Sequence, residues 1–174
     1  MLMRSYKMCL LLAFPLCAST IVCAQTEPPQ LVLKEDAPRT GSMIRKDAAW
    51  STEMPLNRTY SQLTTEQRNA FNSKYESIAP GDEPPFPLEG LKPIVAAIIK
   101  GQNTFLARGD LRLIVTVGPD GKGKNVEAYG KVDNPKMTEF AATVLLLVKY
   151  KPAICGGSPC TMQFPFSLKL KVDE

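Results

Sequence analysis

The residues in this chain of 174 that could carry chemistry are a late pair of cysteines and a scatter of carboxylates, because there is no histidine at all. Without an imidazole there can be no Ser-His-Asp or Cys-His nucleophile and no His-ligated metal. Asp82, Glu83, Asp110, Asp120 and Asp133 could be paired into a carboxylate hydrolase. Each falls at a turn or a helix start, however, where acidic side chains bond to backbone amides. Gly118-Pro119-Asp120-Gly121-Lys122-Gly123 has glycines spaced like a phosphate loop. It joins two strand patterns instead of opening a helix, which makes it a hairpin turn. The reading is of a non-enzymatic chain with no cofactor, no metal and no small-molecule substrate.

The cysteines point to a compartment. Residues 1–24 have a basic start with Arg4 and Lys7, an uncharged apolar stretch from Met8 to Cys23, and Val22-Cys23-Ala24 before Gln25. This is the three-part pattern of a secretory signal peptide cleaved between Ala24 and Gln25. The alternative is a membrane anchor retained through residues 8–23, a stretch that is short for a bilayer and broken by Pro15. Cleavage removes three of the five cysteines and leaves Cys155 and Cys160. In an oxidising compartment these read as a disulfide closing a Gly-Gly and Ser-Pro turn, as opposed to a C-x-x-C redox motif or half of a zinc site. The expected location is the periplasm of a Gram-negative envelope, or outside the cell.

Charge excludes one class of partner. Without Arg4 and Lys7 the chain keeps 19 basic and 17 acidic residues, which are interspersed, so no nucleic-acid-binding surface is expected. Residues 25–60 are polar and proline-broken, apart from a short apolar patch at Leu31, Val32 and Leu33, and read as an extended leader. Residues 61–174 read as one α+β domain.

That domain opens with a helix over 65–79, started by a Thr64/Gln67 capping box and stopped by Pro80-Gly81. A second helix is expected from Leu91 to Lys100 with Gly101 as its cap. Leu111 to Val117 alternates as a strand, and Asn125 to Tyr129 returns from the hairpin turn. Asn134-Pro135 starts a helix whose apolar positions, broadened by Leu146 and Leu147, run to Lys149 and imply burial on more than one side. Met162 to Val172 alternates as a long final strand, where Pro165 demands an edge or a position outside the ladder. The expected architecture is an antiparallel three-stranded sheet with helices packed on one face, plus the extra N-terminal helix over 65–79.

The ordered series Pro85-Phe86-Pro87, the strand Gly109 to Val117, the turn Gly118 to Lys122, the helix exit Val148-Lys149-Tyr150-Lys151-Pro152-Ala153 and an aromatic last strand around Phe164 and Phe166 resembles the C-terminal domain of the TonB family. The likeness covers residues 84–172. The chain departs from that family in the Cys155–Cys160 loop, in Tyr129 to Asp133 where the family is serine-rich, and in having no long Pro-rich spacer. The resemblance implies a module that binds an extended segment of another cell-envelope protein at a sheet edge, with Phe86, Pro87, Gln163, Pro165 and Ser167 as candidate contacts. Self-association through the same edge is left open. The alternative function is a membrane-anchored TonB-like energy-transducer component.

Overall fold

The computed structural model describes residues 30–33, 44 and 54–171. The expected signal segment, its expected Ala24/Gln25 cleavage junction and the alternative anchor over 8–23 lie outside these residues. In chain order the elements are β1 (Gln30–Leu33), a 3-10 turn (Tyr60–Gln62), α1 (Thr65–Asn72), β2 (Phe86–Pro87), α2 (Lys92–Phe105), β3 (Gly109–Val117), β4 (Gly123–Ala128), α3 (Pro135–Leu147), β5 (Tyr150–Lys151), β6 (Ala153–Cys155), β7 (Ser158–Cys160) and β8 (Met162–Leu170).

The main sheet has four strands in the order β1-β4-β3-β8, not three. β3 pairs antiparallel with β4 and, over nine residues from Gly109 to Val117, with β8. The strand missed is β1, which adds parallel to β4. Antiparallel partners share a face, so Leu111, Leu113, Val115 and Val117 stand beside Leu168, Phe166, Phe164 and Met162. These side chains form the floor of the core, all buried except Leu168, which is half-buried against it. α3 lies against β4 and β3, and α2 packs on α3 and reaches β8. α1 joins the same face through Phe71, whose ring is 6.0 Å from Phe164 and 5.3 Å from Phe86.

α1 begins as expected, with Thr64 Oγ1 accepting from the Gln67 amide and Gln67 Oε1 accepting from the Thr64 amide. It ends at Asn72, seven residues before the expected stop at 79. The Ser73 hydroxyl donates to the Ala70 carbonyl, and Lys74 and Tyr75 tighten into three-residue turns. The chain is thereby turned so that Tyr75 bridges Ile44 and reaches β8.

α2 runs past Gly101 to Phe105. Gly101 is an interior helix residue whose missing Cβ makes room for Phe140; a Cβ there would lie 2.3 Å from the ring. The cap is Leu106, in the left-handed region at φ 49°. α3 starts as expected: the Asn134 side chain accepts from the Lys136 amide and donates to the Phe105 carbonyl at the end of α2. Met137, Ala141 and Leu145 face the core, whereas Leu147, two residues and about 200° further around the helix, is 79% exposed. Burial of α3 therefore does not extend to Leu147.

Candidate partner-binding edges of the sheet

The cysteine pair closes a small hairpin. Cys155 pairs across the ladder with Ser158, so Gly156 and Gly157 form the two-residue loop, both with positive φ, as a type I′ turn requires. Cys155 and Cys160 are disulfide-bonded, with Cα atoms 5.8 Å apart. The Asp82 carboxylate accepts from the Gly156 amide at 2.8 Å and ties the hairpin to the chain ahead of β2.

The other acids have comparable work, although Asp110, expected at a turn or helix start, lies inside β3 with its carboxylate 3.8 Å from Arg112 because the strand already begins at Gly109. Asp120 accepts from the Lys122 amide and pairs with Lys124 at 2.8 Å, which holds its carboxyl below the usual carboxylate range. Asp133 accepts from the Arg108 amide at 2.7 Å, and Glu83 pairs with Lys151 at 2.8 Å. Lys151 Nζ also stands 4.7 Å from the centre of the Tyr60 ring, with Arg68 5.6 Å from it. Burial first, then the Glu83 charge, raises the Tyr60 phenol above its ordinary pKa, against the lowering pull of Arg68. Among the described residues no group of three or more Cys, Asp or Glu could hold a metal.

β8 forms one edge of the sheet. The Tyr75 hydroxyl donates to the Gln163 carbonyl at 2.8 Å, so Gln163 presents its backbone away from β3. By ladder alternation Pro165 and Ser167 do the same. Pro165 accordingly sits at an edge-facing position, where a missing N–H costs no bond to β3. Phe86 is fully buried in the aromatic cluster, yet its ring, Pro165 and Ser167 together line a cleft of about 110 Å³, with Lys74 and Val95 beside them. Burial pushes the Lys74 amine down. Pro87 and Gln163 do not line this cleft; Pro87 borders a wider groove with Leu88 and Leu147.

The other edge is β1, which covers β4. Gln30, Leu31, Val32 and Leu33 lie opposite Asn125, Val126, Glu127 and Ala128 in parallel register. Leu31 is half-buried against the core, and Gln30 is exposed. Asn125 Oδ1 is buried and has no hydrogen-bond partner. The sequence signal for this edge was the apolar patch at 31–33, too short to stand out from a polar leader.

No family model, curated protein or solved structure matches the chain.

Proposed function

We propose that this chain is an exported, non-enzymatic interaction module, similar to the TonB C-terminal domain, that binds an extended segment of another cell-envelope protein by strand pairing. The observation that carries the reading is the parallel addition of Gln30–Leu33 to β4: this sheet accepts an extended segment that arrives from far outside the helix-and-strand unit. Main-chain ladder bonds supply affinity in such pairing, and alternate side chains supply selectivity. The helix, hairpin, helix and strand order over 92–170 supports the family likeness. The disulfide supports an oxidising compartment. The acids are employed in caps, turns and ion pairs, which favours binding over catalysis.

The test is photo-crosslinking in a Gram-negative envelope. A benzophenone side chain is placed at Lys124 beside the β4 edge, at Lys169 on β8, and at exposed Lys136 on α3 as control. The reading predicts a defined crosslinked envelope protein from at least one of the two sheet-edge positions and none from Lys136. Crosslinking from neither edge, or equally from all three, would overturn it. A chain recovered at full length with the membrane would instead support the anchored transducer.

A further inference from the structure

We propose that β4 is the docking edge and that Gln30–Leu33 is its built-in occupant, displaced by an extended, parallel-running segment of a partner protein with an apolar residue at its centre. This rests on the strand-pairing reading above and names the edge, the polarity and the competitor.

Three observations support it. First, the two edges are unequal acceptors. On β8 the outward positions include Pro165, which has no N–H, and the Gln163 carbonyl already accepts from Tyr75. On β4 the four residues Asn125 to Ala128 carry no proline and hold a complete short register with β1. Second, β1 is a separable element. Ten residues stand between Leu33 and Ile44, and Ile44 is buried and bridged to Tyr75 near the opposite edge. Ten residues can span about 33 Å when extended, so β1 is tethered closely enough to rebind yet has no need to stay paired. Third, β1 is an imperfect occupant. Asn125 Oδ1 stays buried and unpaired opposite Gln30, whose exposed side chain does not reach it. A ligand with a hydrogen-bond donor at that position gains a bond that the chain's own strand leaves unmade.

The ligand class follows from this geometry. It is a four-residue or longer extended stretch that runs parallel to β4, with a donor side chain opposite Asn125 and an apolar side chain opposite Val126 where Leu31 now sits. An antiparallel ligand, or one with a charge at the second position, fits poorly.

The test uses the full chain, its Leu31→Asp and Leu31→Ala variants, and a fluorescein-labelled synthetic peptide of residues 28–36, with a scrambled peptide of the same composition. Binding is read by anisotropy and location by amide hydrogen exchange. Leu31→Asp should free β4, so exchange at 125–128 should rise while β3 and β8 stay protected. The peptide should restore protection at 125–128. It should bind the variant about tenfold or more tighter than the parent chain, where only the open fraction is competent. Leu31→Ala should show the same changes at smaller size, so the inference stays testable if the aspartate unfolds the chain. Equal binding by parent and variants, equal binding of the scrambled peptide, or protection appearing on β8 instead of β4 would overturn the proposal. The two readings fail separately. A Lys124 crosslink that Leu31→Asp does not strengthen removes the built-in occupant alone, whereas loss of every envelope crosslink with the exchange result intact removes the interaction role.

Discussion

Gly101 and Leu106 show how far a residue's type can mislead about its place. Glycine after an apolar run is the ordinary mark of a helix end, yet Gly101 is interior because Phe140, 39 residues later in the chain, packs against it. No local pattern reveals that contact. Gly101→Ala trades a gain of about 1 kcal/mol in helix propensity against an overpacking cost of about 1–3 kcal/mol. We expect a net loss of stability in urea unfolding, and a net gain for the same substitution in a Phe140→Ala background, where the ring is gone. An equal effect in both backgrounds would contradict the close approach. Leu106 is the converse: a bulky residue in the left-handed cap position, 66% exposed, with its amide bonded to the Gln102 carbonyl. The left-handed conformation costs an L-residue about 1–2 kcal/mol and glycine little. Leu106→Gly should raise stability by roughly 1 kcal/mol, read as a higher urea midpoint at unchanged slope.

Elements with a long, strict period were the legible ones. β3, the β3–β4 hairpin, α3 with its Asn134 start, and the alternating β8 follow from spacing together with turn and cap residues, although β4 starts at Gly123, two residues before the expected Asn125, and ends at Ala128. The disulfide followed from counting cysteines after a predicted cleavage. α1 was overrun because Tyr75 and Ile78 fit its apolar face, while the tertiary pull of Tyr75 toward Gln163 leaves no trace in a local window. Tyr75→Phe should therefore lower stability by about 1 kcal/mol through loss of that bond, without changing α1. Replacing Cys155 and Cys160 by serine should cost about 2 kcal/mol, small because the closed loop is short. Amide protection in β3 and β8 should survive, since the β6–β7 hairpin is a separate two-stranded sheet. Loss of that protection would show that the hairpin is integral to the core.

At the scale of the molecule, composition and topology each make a claim. Beyond residue 24 there is no histidine and no cysteine besides the bonded pair, so no side chain with an ordinary pKa titrates between about pH 6 and 9. Stability should be flat there. Burial raises the phenols of Tyr60, Tyr75 and Tyr150, so the unfolded chain loses protons near pH 10 while the folded chain keeps them. Their contribution is whole below about pH 10 and is lost as pH rises toward the folded-state values. Lys74, lowered by burial, works in the opposite direction, one group against three. Urea midpoints should match at pH 7 and 9 and fall at pH 10.5; a steady gradient between pH 6 and 8 would contradict this. Topology makes the larger claim, since the sheet is completed by a four-residue strand from a segment whose composition reads as a leader, and our proposal that β4 receives extended chain rests on that pairing. Its brevity kept it out of sight: four residues cannot display a period, and parallel pairing leaves no turn between the partners. The most direct test is amide hydrogen exchange across Asn125–Ala128 in the unmodified full chain. Protection there well above that of exposed loops, lost when Leu31 becomes aspartate, is the predicted result, and exchange at the rate of an open edge strand in the unmodified chain would contradict the account.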